Sequence, residues 1–93
     1  MTLTHVAGKK TKNIVIYALS TCPWCHRAKQ LLENLGIDYY YVDVDKAPSK
    51  EREELLDKVR KWNPSSSFPT IVVDDNKCII GFKEDQIREA VKG

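Results

Sequence analysis

Two cysteines separated by a proline and a tryptophan, Cys22-Pro23-Trp24-Cys25, are the residues of this chain best suited to do chemistry. A C-x-x-C pair can act in redox chemistry, because a thiolate at one sulfur attacks a substrate disulfide and the second sulfur resolves the resulting mixed disulfide. The same spacing also supplies half of a zinc site, or marks two inert core thiols. The pair alone leaves these three interpretations open.

A zinc site needs four ligands, and the sequence offers few candidates beyond the pair. Cys78, His5 and His26 stand singly in a predicted strand, tail and helix, and no second paired motif accompanies them. We therefore expect no metal site and favour redox chemistry.

The elements predicted around the pair place it where a strand turns into a helix. Residues 13–19, "NIVIYAL", form a β-branched and aromatic run typical of a buried strand. Pro23 suits a first helical turn and Gly36 a helix end. The dipole and free N–H groups of that helix N-terminus favour a thiolate at Cys22, so we assign Cys22 as nucleophile and Cys25 as resolving thiol. Apolar residues recur at helical spacing between these ends: Ala28, Leu31, Leu32 and Leu35.

Further elements follow the first helix without any internal repeat. The sequence predicts a strand in "IDYYYVDVD", a helix over Lys50–Trp62, two close strands in "TIVV" and "CIIGF", and a last helix from about Glu84. The order β-α-β-α-β-β-α predicts an α/β fold with a four-stranded mixed sheet flanked by helices. We expect a flexible N-terminal tail over residues 1–12 and one domain over residues 13–93.

Composition narrows the class of protein. The chain has 93 residues, enough for one core, and its net charge of +2 does not indicate a nucleic-acid binder. It contains no apolar run long enough to cross a bilayer and no apolar secretory signal. Three cysteines are too few for a secreted disulfide scaffold. We expect a cytoplasmic monomer.

Residues 21–28, "TCPWCHRA", closely resemble the T-C-P-Y-C pattern of the glutaredoxin family, and Phe68-Pro69-Thr70 occupies that family's T-V-P position. The resemblance implies a thioredoxin-like fold with Pro69 cis beside the cysteines and the Phe68 backbone free to pair with an extended substrate. It also implies that Thr21 and Trp24 border the substrate. Trp24 has a second interpretation, as an extension of the apolar helix stripe into the core.

The glycine turn before the last helix departs from the glutathione-using pattern. Gly81 is kept, Phe82 replaces the second glycine, and Glu84 and Asp85 follow at the helix start. This G-F-x-x-D string resembles NrdH-type redoxins, which implies thioredoxin-like partners, ribonucleotide reductase as a candidate substrate, and roles in substrate binding for these four residues. Leu19 stands where many glutaredoxins carry Lys or Arg for glutathione, with Lys29 or Lys83 as possible substitutes.

Together these features predict a dithiol protein-disulfide oxidoreductase with no bound cofactor. A thioredoxin-reductase-type enzyme or glutathione would supply its electrons, and Leu19 and Phe82 make glutathione the doubtful donor. The alternative, implied by other relatives of the family, is a glutathione-dependent iron–sulfur cluster module that uses Cys22. Pro23 argues against it, since cluster-binding members tend to have a small residue there.

Overall fold

A five-stranded sheet and three α-helices make up the part of the chain that the computed structural model describes, residues 3–92. A single turn of 3₁₀-helix, Val44–Lys46, leads into the second helix. The strands are β1 (Thr4–Val6), β2 (Ile14–Ala18), β3 (Tyr39–Asp43), β4 (Thr70–Val73) and β5 (Lys77–Ile80), and the helices are α1 (Pro23–Asn34), α2 (Ser49–Trp62) and α3 (Glu84–Ala90).

The sheet is mixed, with the strand order β1-β3-β2-β4-β5. The central strand β2 runs parallel to β3 and antiparallel to β4, and each edge strand is antiparallel to its neighbour. Ala18 at the end of β2 lies opposite Asp43 of β3, while Tyr17 lies opposite Thr70 at the start of β4. The segments that follow Ala18 and precede Thr70 therefore meet at one edge of the sheet.

Alternation along β2 divides the core between the two faces of the sheet. Ile14, Ile16 and Ala18 pack in the cluster that includes the apolar faces of α1 and α3. Tyr17 points to the opposite face, into the cluster formed with α2. Burial on both faces explains why β2 is apolar throughout its length.

The structure corrects the predicted number of strands from four to five. Thr4–Val6, within the predicted flexible tail, pair antiparallel with β3. His5 Nε2 lies 2.6 Å from Asp38 Oδ1, and the His5 ring stacks on Tyr40 with centroids 4.6 Å apart. A three-residue strand with two polar members gives no periodic signal, because its pairing depends on residues more than 30 positions away. The tail residues 1 and 2, and residue 93 of the predicted domain, lie outside the described residues.

From β2 onward the predicted element order is confirmed. α1 begins at Pro23, and Gly36 follows its end with a φ of 69°. α2 begins one residue before the predicted Lys50 and ends at Trp62, while α3 begins at Glu84. Within residues 3–92, no helix has the length and apolar character needed to cross a membrane.

Candidate active site

Cys22 is the N-cap of α1, with an extended backbone conformation (φ −85°, ψ 114°). The backbone N–H of Cys25 donates to Cys22 Sγ over 3.3 Å, and the N–H of Cys22 donates to the Leu19 carbonyl over 3.1 Å. Pro23 fits the first helical turn because its missing N–H has no intrahelical partner to lose. The Cys22 sulfur therefore lies where free N–H groups and the helix dipole stabilise an anion.

Cys25 lies below Cys22 and is completely buried, whereas Cys22 is partly exposed. Burial raises the pKa of the Cys25 thiol to about 12, and its hydrogen bond with Cys22 acts in the same direction. Both sulfurs are free thiols. Of the two sulfurs, only that of Cys22 is accessible from the surface.

The turn that leads into α1 is held by a network that the sequence analysis did not identify. Asp45 accepts hydrogen bonds from the Ser20 N–H at 2.8 Å and from the Ser20 hydroxyl at 2.5 Å. His26 Nε2 donates to the Ser20 carbonyl over 2.8 Å. Because Asp45 follows β3 and His26 belongs to α1, the turn before Cys22 is fixed from both sides.

The Phe68–Pro69 peptide bond is cis, as the family resemblance implies. Asn63, almost fully buried after α2, donates from its side-chain nitrogen to the Ser67 carbonyl at 3.2 Å and to Thr70 Oγ1 at 3.2 Å. Asn63 thus fixes the loop before Pro69. An asparagine between a helix end and Pro64 was the available sequence signal for this role.

Trp24 lies on the surface, with 54% of its area exposed, which excludes its interpretation as a core residue. Its ring stacks on Phe82 with centroids 6.0 Å apart. A cavity of about 300 Å³ adjoins this pair and is lined by Trp24, Phe68, Gly81, Phe82 and Lys83. Four of the predicted substrate-binding residues therefore meet in one depression, and Thr21 is exposed beside Cys22.

Glu84 and Asp85, which were also predicted to bind substrate, do not line this depression. Glu84 accepts a hydrogen bond from Arg88 Nε at 2.9 Å, and Asp85 lines two other cavities, beside Cys78 and beside Leu35. Both belong to the first turn of α3. Their assignment to substrate binding stays a prediction.

Lys29 is committed to a partly buried ion pair. Its Nζ lies 3.0 Å from Asp43 Oδ1 and 4.0 Å from the centroid of the Tyr41 ring, and 12% of its side chain is exposed. Lys29 is therefore unavailable as the substitute cation for glutathione, whereas Lys83 lines the cavity.

Across residues 3–92, no three His, Cys, Asp or Glu side chains cluster in a way that would hold a metal ion.

An NrdH-redoxin is among the solved structures that are similar to this chain. The structure of the glutaredoxin-like protein NrdH-redoxin from Escherichia coli matches with a TM-score of 0.66 at 26% identity, covering 87% of this chain and 97% of that one. This likeness supports the same thioredoxin-superfamily fold.

More similar proteins identify the family. A glutaredoxin family model matches residues 14–79. A glutaredoxin-like 8.6 kDa protein of Clostridium pasteurianum is 39% identical, over 85% of this chain and 97% of its own. The glutaredoxin structure from Methanosarcina mazei has a TM-score of 0.91 and 47% identity, covering 98% of this chain and 88% of its own. Methanoredoxin from Methanosarcina acetivorans has a TM-score of 0.89 and 48% identity, covering 92% and 90%. This chain belongs to the glutaredoxin family of the thioredoxin superfamily.

Proposed function

We propose that this protein reduces protein disulfides as a dithiol oxidoreductase, with Cys22 as the nucleophile and Cys25 as the resolving thiol. The observation that carries this proposal is the arrangement of the pair. The accessible sulfur of Cys22, at the N-terminus of α1, accepts a hydrogen bond from the backbone N–H of Cys25. The sulfur of Cys25 is itself buried, one helical turn further on.

The reaction proceeds in two exchanges. The Cys22 thiolate attacks one sulfur of the substrate disulfide, which forms a mixed disulfide and releases the other substrate sulfur as a thiolate. Cys25 then loses its proton and attacks Cys22 Sγ, which breaks the mixed disulfide and releases the second substrate thiolate. The substrate gains two electrons, the released thiolates take up protons, and a Cys22–Cys25 disulfide remains for the electron donor to reduce.

The substrate would bind across the depression beside Cys22. The backbone N–H and C=O of Phe68 make no hydrogen bond with the described residues, so they are available to an extended substrate segment. The exposed Trp24 and the half-buried Phe82 stacked on it offer aromatic area at the rim of this depression. These features favour a polypeptide disulfide over a small-molecule disulfide as the substrate.

The test of the proposed function is a reduction assay with an insulin-type disulfide substrate. Cys22→Ser should abolish turnover, because serine cannot form the mixed disulfide. The matched control is Cys78→Ser in β5, outside the cavity beside Cys22, which should leave turnover unchanged. Full activity of Cys22→Ser would refute the proposal.

A thioredoxin-reductase-type enzyme is the electron donor that we propose. Leu19 supplies no cation for glutathione, Phe82 takes the place of a glycine, and Lys29 is held by Asp43. NrdH-redoxin, a structural neighbour, is described as having a thioredoxin-like activity profile, which agrees with this choice. Turnover with glutathione and its reductase that equals turnover with a thioredoxin reductase would contradict it.

Ribonucleotide reductase stays a candidate substrate. Disulfide reduction of this kind belongs in a reducing compartment such as the cytoplasm.

An iron–sulfur cluster module is the alternative function. Such a protein would gain visible absorbance after anaerobic reconstitution with iron, sulfide and glutathione. We expect no absorbance, on the family-based expectation that Pro23 disfavours a cluster. A stable coloured product would favour the alternative.

A further inference from the structure

Two cations that form no ion pair with any described residue lie at the aromatic pair of Trp24 and Phe82, beside Cys22. The guanidinium carbon of Arg27 lies 5.1 Å from the centroid of the Trp24 ring, and Lys83 lines the cavity under Phe82. Neither side chain forms an ion pair within residues 3–92, whereas Lys29, Arg60, Arg88 and Lys92 all do. Arg27 and Lys83 therefore keep their charges available to a bound molecule.

Carboxylates near this surface are directed elsewhere. The residues that line the cavity include no Asp or Glu. Glu84, next to Lys83 in sequence, is paired with Arg88, and neither Asp45 nor Asp85 lines the cavity. The surface that receives the substrate thus presents aromatic rings and positive charge, although the whole chain has a net charge of only +2.

We propose that this surface selects polypeptide disulfides whose reactive cysteine is flanked by acidic residues, with Arg27 and Lys83 as the residues that determine this specificity. This inference rests on the proposed function, because it concerns the substrate of the same cysteine pair. Aromatic area at Trp24 and Phe82 contacts the apolar part of the segment, and the two cations pair with its carboxylates. Complementary charge of this kind acts mainly on the rate of association and on the choice of partner.

The test uses three disulfide-linked peptides of equal length whose residues beside the cysteine are Glu, Gln or Lys. The second-order rate of their reduction by the full chain is measured at low salt under single-turnover conditions. We expect the Glu peptide to react about 10-fold faster than the Lys peptide, with the Gln peptide between them. Added salt should reduce this ratio, because exposed charges are screened.

Charge-reversal variants assign the effect to the two cations. Arg27→Glu combined with Lys83→Glu should invert the preference, so that the Lys peptide reacts faster. The milder pair Arg27→Gln and Lys83→Gln should bring the ratio close to one, which keeps the test valid if charge reversal disturbs folding. The control for the Gln pair is Lys77→Glu at the far end of the β4–β5 hairpin, which lowers net charge by the same amount as the Gln pair and should keep the wild-type ratio.

The outcomes separate this inference from the proposed function. Equal rates for the three peptides would overturn the charge selectivity and leave disulfide reduction intact. An equal loss of selectivity in Lys77→Glu would also overturn it, because long-range charge would then be responsible. Failure to reduce any of the peptides or insulin would refute the proposed function itself.

Discussion

Deep burial of Cys25 leads to a quantitative prediction about the resolving step. Cys25 is 0% exposed, and with a pKa of about 12 about one thiol in 10⁵ is ionised at pH 7. When Cys22 is bonded to a substrate, its own contribution to that pKa disappears, but the burial that is the largest cause remains. The rate of resolution should therefore rise about tenfold for each pH unit, or about 100-fold between pH 7 and pH 9.

This rate can be measured by rapid mixing of the reduced protein with an excess of disulfide peptide. Acid quenching and mass spectrometry then give the lifetime of the mixed disulfide at each pH. The measurement uses a Cys78→Ser background to remove the third thiol, and Cys25→Ser as the control in which the mixed disulfide should persist at every pH. A resolution rate that levels off as the pH rises toward 9 would refute the reasoning, because Cys25 would then ionise near the ordinary cysteine pKa of about 8.5.

A direct titration of Cys25 gives an independent check. In the double variant Cys22→Ser and Cys78→Ser, Cys25 is the remaining cysteine, and thiolate formation can be followed by ultraviolet absorbance. Burial predicts little thiolate signal below about pH 9. Half-maximal signal below pH 8 would show that burial does not control this thiol.

Three further predictions concern stability. Lys29→Met should destabilise the fold by about 2 kcal/mol in urea unfolding, because it leaves the Asp43 carboxylate unpaired and largely buried. Lys92→Met, which breaks an exposed pair with Glu89, should change stability by less than about 0.5 kcal/mol, and equal effects would contradict this. Burial and the nearby Glu33 raise the pKa of Tyr39, so its contribution to stability is complete below the unfolded value of about 10 and is lost as pH rises toward the folded value. Tyr39→Phe should therefore flatten the alkaline decline in stability by up to about 1.4 kcal/mol per pH unit, and an unchanged slope would contradict this. A Cβ at Gly8 would lie 2.7 Å from the backbone of Gly36 and Ile37, so Gly8→Ala should cost about 2 kcal/mol, and a neutral effect would show that this contact relaxes freely.

Sequence signals were reliable where structure depends on neighbouring residues. The apolar run before Cys22, the proline at the helix start and the glycine at its end all act within a few positions. They predicted β2 and α1, and the N-cap position of Cys22 followed. The wrong strand number has the opposite cause, since Thr4–Val6 form a strand only because β3 offers a free edge.

Around the site, too, the features that depend on distant residues were the ones that the sequence did not predict. The sequence did not decide whether Trp24 lies in the core or on the surface, because helical periodicity does not tell which side of a helix the neighbouring elements cover. The structure places Trp24 on the surface. Glu84 and Asp85 carry the residue types of a binding turn, yet neither lines the depression beside Cys22, since Glu84 pairs with Arg88 and Asp85 lines other cavities.

The sequence by itself determined the Cys22–Cys25 motif, the order of elements from β2 onward and the family, because these are recorded in short motifs and local periodicity. Only the tertiary structure decided which charges remain available at the site. The charge of Lys29 is paired with Asp43, 14 positions away, and Ser20 is hydrogen-bonded to Asp45, 25 positions away. Arg27 and Lys83 stay unpaired beside Trp24 and Phe82 in the part of the chain that the structure describes. The physical reason is that ion pairs and cavities depend on distances between elements, which the fold sets and no local pattern contains.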